Sequence, residues 1–178
     1  MPIPLLQIGS LSNDDLRRRL ESVPPGESID CNGVKRLPLA VLIAARDHGM
    51  LTFANVHGPA RSTLTIFRLP IADAHPSFPE VPFLIETHAP DTLVIKPKAN
   101  ATTFPNLSSH PGHDWLQGLT AGSITIDLTA VQQINSVVVA WMLRLAQDSA
   151  PLRLKLSKVS RQVETQLRQL RLDHILAL

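Results

Sequence analysis

The residues best placed to do chemistry are two aspartates, each at the end of a short strand pattern. Asp30 ends Ser-Ile-Asp, and Asp127 ends Ser-Ile-Thr-Ile-Asp. A pair of carboxylates can act as general acid and base. An Asp at a strand end also accepts hydrogen bonds from the backbone of the loop that follows, and we expect this structural role for both residues. Cys31 follows Asp30 directly and is expected to be a small buried hydrophobic residue whose thiolate is unfavourable.

One cluster has the spacing of metal ligands. His110 and His113 are separated by Pro-Gly and followed by Asp114. Coordination of zinc needs three or four converging ligands, and no third His or Cys lies nearby, so we expect a polar loop and no metal. The sequence also lacks a Gly-rich phosphate loop, a GxSxG elbow, a CxxC pair and an HExxH motif. We therefore expect no cofactor and no catalytic residues.

The pair Asn135-Ser136 is a second candidate site because it precedes an apolar helical stretch. Asn is a good N-cap, which would place Ser136 at the first helical position, where free N–H groups and the helix dipole favour an anion. A phosphate there would add roughly −1.5 to −2 charges to a surface expected to include Gln132, Val137 and Val138. Such a group could release an apolar partner. The alternative is a capping pair that is never modified.

Composition excludes several classes of protein. The 178 residues are 44% hydrophobic, and 17 Lys and Arg oppose 15 Asp and Glu, for a net charge of +2. This charge is too small and too scattered for a nucleic-acid surface. The sequence has one Cys, and the N-terminus lacks the pattern of a signal peptide, so we expect a cytoplasmic protein. The longest apolar run, residues 137–143, is too short to insert into a membrane directly.

The chain contains an internal repeat. Residues 29–37 and 126–134 share Ile, Asp, Val and a closing aliphatic residue at an offset of 97. Residues 51–56 align with 154–159 at an offset of 103. A six-residue insertion in the second copy, around residues 147–151, accounts for the difference. The matched order of elements indicates a duplication.

The repeated unit has the pattern strand, helix, strand, helix, expected in the second copy at residues 123–128, 135–147, 152–156 and 160–172. In the last helix, Val163, Leu167 and Leu170 recur at i, i+4 and i+7. In the first copy, Pro38 is expected at the first helical position. Strands joined through helices imply parallel pairs, so we expect two tandem α/β sandwiches, each with helices packed on a mixed sheet.

Each copy has a lead-in segment. In the second, a hairpin of residues 81–86 and 92–96 precedes a loose segment and residues 115–119; in the first, a strand at 4–8 precedes a helix at 12–22. Residues 70–82 contain four prolines and little periodicity. We therefore expect a degenerate first domain at 1–70, a linker at 71–80 and a second domain at 81–178.

The second copy resembles the STAS family, which includes anti-sigma-factor antagonists, tails of sulphate transporters and a small subunit of bacterial lipid-transport ABC complexes. The family has a strand ending in Asp-Leu-Ser or similar, then an aliphatic residue, then Asp-Ser-Ser-Gly at the start of a helix. Asp127-Leu128-Thr129 and Val131 match this pattern. The resemblance covers residues 81–178, and more faintly 26–69.

The family's loop is altered in this chain. Asn135 stands where the family has Asp, Ser136 stands where family members carry a phosphorylatable Ser or Thr, and Val137-Val138 replace Ser-Gly. The first copy has Pro38-Leu39 at this place and no hydroxyl. These departures bear on the phosphorylation switch more than on the fold.

The resemblance implies a non-catalytic protein-binding protein, a regulator of the anti-sigma antagonist type. It would bind a serine kinase of the GHKL type and be phosphorylated by it at Ser136. The alternative within the family is a cytoplasmic accessory subunit that grips the ATPase of an ABC-type lipid transporter. Outside the family, a small α/β enzyme with its site at the carboxyl ends of the strands remains an alternative. The oligomeric state is left open.

The helices at residues 39–45 and 137–143 are apolar on nearly every face, so something else must cover them. Either the two halves cover each other or a partner docks there. With Asn135, Ser136, Val137 and Val138, we expect Trp141 in the partner-binding surface, because Trp is a frequent interface anchor. The alternative is that Trp141 belongs to the core.

Overall fold

The computed structural model describes residues 3–5, 12–24, 26–49, 51–74, 78–104, 107, 114–173 and 175–177. The helices of this part of the chain are α1 (Asn13–Glu21), α2 (Leu39–His48), α3 (Gly58–Ile66), α4 (Ser136–Asp148) and α5 (Arg161–Gln169). The strands are β1 (Ile3–Pro4), β2 (Ser28–Asp30), β3 (Leu37–Pro38), β4 (Thr52–Ala54), β5 (Phe83–Ala89), β6 (Thr92–Pro97), β7 (Leu119–Thr120), β8 (Ser123–Asp127) and β9 (Lys155–Ser157). Short 3-10 turns cover Ala99–Thr102 and Trp115–Gly118.

The chain forms two compact units. The first unit is Met1–Pro79 together with Asp114–Thr120, and the second unit is Glu80–His113 together with Ala121–Leu178. Of the lead-in that we expected for the second copy, the hairpin lies in the second unit, whereas residues 115–119 lie in the first. The expected domains, 1–70 and 81–178 with a linker at 71–80, stay a prediction.

In the first unit, β1, β2 and β4 form a parallel sheet in that order. The short strand β3 pairs in parallel with β7, with Leu37 opposite Leu119. Apolar residues of the strands and helices, such as Ile29, Phe53 and Leu64, are fully buried between them. Burial of this apolar surface is the main stabilising contribution.

The second unit contains a four-stranded mixed sheet in the order β5-β6-β8-β9. The hairpin strand β5 is antiparallel to β6, and the remaining pairs are parallel. Ile95 and Ile126 of the sheet are fully buried, as are Val138 of α4 and Val163 of α5. The expectation of an α/β fold with a mixed sheet is confirmed.

Helix ends follow the sequence closely. The side chains of Ser12, Asn135 and Ser160 each accept a hydrogen bond from a backbone N–H in the first turn of α1, α4 and α5. These residues satisfy donors that the helix itself cannot pair. The prediction for Pro38 was wrong by one position, because Pro38 is the N-cap of α2 and Leu39 is the first helical residue.

Secondary structure recurs at the two offsets found in the sequence. β4 shifted by 103 residues coincides with β9, and α3 shifted by 103 coincides with α5. β2 shifted by 97 residues falls at positions 125–127 of β8, and the first residue of α2 falls on the first residue of α4. Four elements of the first unit, β2, α2, β4 and α3, therefore recur in the same order in the second unit as β8, α4, β9 and α5.

Backbone conformation recurs as well. Among the described residues, the non-glycine residues with positive φ are Asn55 and Lys158, and Arg68 and Arg171, and each pair is separated by 103 positions. After both α3 and α5 the chain ends the helix with the same pair of hydrogen bonds, which for α5 are Arg171 N–H to the Arg168 carbonyl and Leu172 N–H to the Leu167 carbonyl. This is the Schellman arrangement, in which a left-handed residue follows the helix.

Candidate functional site

The loop after β8 is held by the buried carboxylate of Asp127. Its Oδ1 atom accepts hydrogen bonds from the Thr129 backbone at 3.0 Å and the Thr129 hydroxyl at 2.5 Å. Its Oδ2 atom lies 3.0 Å from the Lys158 Nζ. Burial raises the pKa of Asp127, but the hydrogen bonds from Thr129 and Lys158 outweigh burial and lower the pKa to about 2. Asp127 is therefore a structural anion, as we expected.

A second cation and a second carboxylate continue this cluster across the sheet. Lys96 of β6 lies 2.6 Å from the Glu86 carboxylate of β5 and 4.0 Å from Asp127. The hydrogen bond to Glu86 raises the pKa of Lys96. The charges alternate and satisfy one another, so the cluster offers neither a free general base nor an unpaired amine for covalent chemistry.

Asp30 holds the loop after β2 in the first unit, as Asp127 holds the loop after β8. Its Oδ1 atom accepts hydrogen bonds from the Asn32 backbone at 3.0 Å and from the Asn55 side chain at 2.9 Å. The bond from Asn55 is the main cause of the lowered pKa of Asp30. The adjacent Cys31 is buried, and burial, assisted by the charge of Asp30, raises the pKa of its thiol to about 12. The prediction of a loop-holding aspartate is confirmed, and Cys31 is buried as expected.

Asn135 and Ser136 occupy the positions that the sequence predicts. The Asn135 Oδ1 atom accepts from the Val138 N–H at 3.0 Å, and its Nδ2 donates to the Thr102 carbonyl at 2.7 Å. Ser136 is the first residue of α4 and is exposed. Its hydroxyl therefore lies in the first turn of a 13-residue helix, beside backbone N–H groups that favour an anion.

Ser136 lines an open groove of about 480 Å³ between α4 and α5. The lining side chains share one property, which is that none is charged: Ile134, Asn135, Ser136, Val139, Ala140, Leu143, Gln166, Gln169 and Leu170. Leu170 is 53% exposed although the periodicity of α5 predicts it on the buried face with Val163 and Leu167. This groove, which we call the α4–α5 groove, is the candidate functional site.

The other residues expected to bind a partner are more buried than Asn135 and Ser136. Val137 is half-buried, whereas Val138 is fully buried and Trp141 is 4% exposed. The ring of Trp141 packs on Phe83, with centroids 5.6 Å apart. Trp141 thus contributes core packing within the second unit. Its partner-binding role, like that of Val138, stays a prediction.

Sequence reasoning included Ala140 and Leu143 only as part of the apolar helix at residues 137–143, and it did not select Gln166 or Leu170 as site residues. The available signal was the apolar face of the last helix, which continues to Leu170 beyond the residues that the core covers.

His110 and His113 lie outside the described residues. In the part of the chain that the structure describes, no three His, Cys, Asp or Glu side chains converge as metal ligands. Among the same residues, no helix has the length and hydrophobicity needed to cross a membrane.

Comparison with family models, curated proteins and solved structures finds no match to this chain.

Proposed function

We propose that the chain is a non-catalytic protein-binding protein of the STAS type, made of two tandem STAS-like domains at residues 1–70 and 81–178. The recurrence of strands, helices and left-handed residues at offsets of 97 and 103 supports an internal duplication. The sequence resemblance of the second domain supports the family. Within the family we propose a regulator of the anti-sigma antagonist type, acting in the cytoplasm.

One observation carries the functional part of the proposal. An uncharged, largely apolar groove is exposed on the second unit, and a hydroxyl at a helix N-terminus lies on its edge. Exposed apolar surface of this kind is typical of protein-binding sites. A single modification of Ser136 would therefore act directly on the binding surface.

The expected switch follows from local electrostatics. A phosphate on Ser136 is favoured by the N–H groups and dipole of α4, so the helix itself would stay folded. The same phosphate would lie beside Val139 and Ala140 in the groove. An apolar partner would then have to bury a charge without a counter-ion, which is costly. The phosphorylated protein would lose its partner.

Asn135, Ser136 and half-buried Val137 would meet the partner directly. Val138 and Trp141 would act by holding α4 against the sheet. We propose a serine kinase of the GHKL type as the partner. The chain departs from the family pattern at Asn135, Val137 and Val138. These departures favour a second candidate, an unphosphorylated accessory subunit bound to an ABC-transporter ATPase.

Binding of the full chain to each candidate partner, measured by calorimetry, tests the proposal. We expect Ser136→Asp to weaken binding at least tenfold and Ser136→Ala to preserve it. Ser12→Asp is the matched control, because it adds the same charge at another exposed helix N-terminus and Asp remains a good N-cap.

Intact-mass measurement after incubation with kinase and ATP separates the two candidates. One added phosphate, absent from Ser136→Ala, would support the anti-sigma antagonist. Binding to the ATPase without modification would support the accessory subunit. If neither partner binds, or if both Ser136 substitutions leave the binding affinity unchanged, the proposed function is wrong.

A further inference from the structure

The first unit contains a filled counterpart of the α4–α5 groove. Its occupant is the segment Asp114–Thr120, which packs along α3. The ring of Trp115 stacks edge-on against Phe67 with centroids 6.2 Å apart, and the Thr63 hydroxyl donates to the Trp115 carbonyl at 2.7 Å. Trp115 and the following Leu116 are fully buried.

The end of this segment joins the neighbouring strand. Leu119 pairs in parallel with Leu37, and the Arg36 Nε donates to the Leu119 carbonyl at 2.9 Å. Gly118 lies so close to α3 that a Cβ atom there would be 2.3 Å from the Pro59 carbonyl oxygen. The segment thus contacts the rest of the first unit through the ring of Trp115, the close approach of Gly118 and the strand pairing of Leu119.

The two offsets map this filled groove onto the open one. With the offset of 97, Leu37, which pairs with Leu119, corresponds to Ile134, which lines the α4–α5 groove. With the offset of 103, Thr63 and Phe67, which both contact Trp115, correspond to Gln166 and Leu170, which also line the α4–α5 groove.

Burial differs between corresponding positions of the two units. Phe67 is 7% exposed, whereas the corresponding Leu170 is 53% exposed. Leu39 is buried, whereas the corresponding Ser136 is exposed. At the strand position, the Ile134 N–H is bonded to the Gln166 side chain at 3.3 Å, a long bond that a backbone carbonyl could replace.

We infer that the α4–α5 groove binds a short segment of a partner protein with the chemistry of Asp114–Thr120. The ligand is an uncharged 3-10 turn with a large aromatic residue that contacts Leu170, followed by a two-residue strand parallel to residues 134–135. The lining matches this ligand because it carries no charge and offers Gln166 and Gln169 as polar contacts at the rim.

A second copy of this chain does not supply the ligand. Its own Trp115, Leu116 and Leu119 are at most 2% exposed and belong to the core of its first unit. Releasing them would uncover Phe67 and break the pairing with Leu37. The ligand must therefore come from a different protein, in a region where such a segment is accessible.

This inference rests on the proposed function and gives it a stereochemical basis. Ser136 corresponds to Leu39, which the first unit buries completely. A phosphate on Ser136 would then stand where the bound segment must cover the groove. Release of the partner follows from this overlap and from the cost of burying the charge.

The test uses the full chain and a fluorescein-labelled peptide of sequence DWLQGLT, capped at both ends and titrated up to millimolar concentration by fluorescence anisotropy. We expect saturable binding, at least tenfold weaker for the peptide with Ala in place of Trp. Leu170→Arg and Ser136→Asp in the protein should each weaken binding at least tenfold. Leu84→Arg is the matched control, since Leu84 is 52% exposed and lies on β5, away from the groove.

Absence of saturable binding, or binding that Leu170→Arg leaves unchanged, would overturn the inference. The proposed function is tested separately, by partner binding. A partner whose binding depends on Ser136 but not on Leu170 would leave the function standing and exclude this ligand.

Discussion

The Nζ atom of Lys158 lies 3.0 Å from Oδ2 of Asp127, a carboxylate that is only 4% exposed. The corresponding pair of the first unit joins the Asn55 amide to Asp30 at 2.9 Å. In both pairs the donor residue has positive φ, 52° for Lys158 and 56° for Asn55. A left-handed residue after the strand thus brings a donor back to the aspartate, and the two units use different donor chemistry for the same contact.

The first prediction concerns the pH dependence of stability. The pKa of Asp127 is lowered from 3.8 to about 2, so its contribution is present above pH 4 and is lost as the pH falls through 2. A shift of this size corresponds to about 2 kcal/mol. Asp127→Asn should lower the free energy of unfolding of the second unit by this amount at pH 7.

Urea denaturation followed by Trp141 fluorescence in a Trp115→Phe background measures this effect. The difference between Asp127 and the Asn variant should shrink between pH 4 and pH 2. A difference that stays constant over this range would show that the ionised carboxylate contributes nothing beyond its hydrogen bonds.

The second prediction concerns the close approach of Gly118 to α3. A Cβ atom at this position would lie 2.3 to 2.5 Å from backbone atoms of Pro59 and Ala60. Because backbone atoms of a packed helix cannot move aside cheaply, Gly118→Ala should destabilise the first unit by about 1–3 kcal/mol. Thermal unfolding followed by Trp115 fluorescence in a Trp141→Phe background reports on this unit.

Gly122→Ala, in the second unit and followed by Trp141 fluorescence in a Trp115→Phe background, is the control for this substitution. The atom nearest to its Cβ would be the Asp91 Oδ2 at 2.8 Å, a carboxylate oxygen that can rotate away, and no backbone atom is among the three nearest. Equal effects of the two substitutions would mean that the Trp115–Gly118 turn is not held tightly against α3.

The third prediction concerns Trp141. Because this ring is buried and packs on Phe83, Trp141→Ala should cost about 3–5 kcal/mol in unfolding free energy. Circular dichroism during urea denaturation measures the loss. Leu170→Ala, at an exposed position, should cost much less. A stable Trp141→Ala variant that has lost partner binding would instead restore Trp141 as a direct interface residue.

The fourth prediction concerns the residues that end α3 and α5. Arg68 and Arg171 have φ values of 57° and 55°, and both side chains are exposed. Glycine adopts this conformation without a steric cost, so Arg68→Gly and Arg171→Gly should each stabilise the protein by about 0.5–1 kcal/mol. Arg161→Gly, in the first turn of α5, should destabilise it by a similar amount. Melting temperatures with the opposite order would contradict the Schellman assignment.

The sequence by itself determined the features that depend on neighbours a few residues away. A helix was predicted from residue 12 and Asn135 was predicted as an N-cap, and Ser12 and Asn135 are the N-caps of α1 and α4. Their hydrogen bonds join residues at most four positions apart, so local sequence is sufficient to predict them. The position of Ser136 at a helix N-terminus was predictable for the same reason.

One predicted strand begins later than the pattern indicated, and another lies mostly outside the described residues. The strand expected at 152–156 begins only at Lys155, because the Leu152 N–H is still bonded to the Ser149 carbonyl. The strand expected at 4–8 is described only at Ile3–Pro4, and residues 6–8 lie outside the described part of the chain.

Only the tertiary structure decided which apolar faces are covered. Periodicity places Phe67 and Leu170 on equivalent helix faces, yet Trp115 covers Phe67 while Leu170 stays exposed. The partner of Phe67 lies 48 positions away along the chain, and no pattern within a helix specifies a contact at that distance. A side chain is buried only when a second surface covers it. The sequence of a helix shows that one face is apolar, but it does not show which segment covers that face.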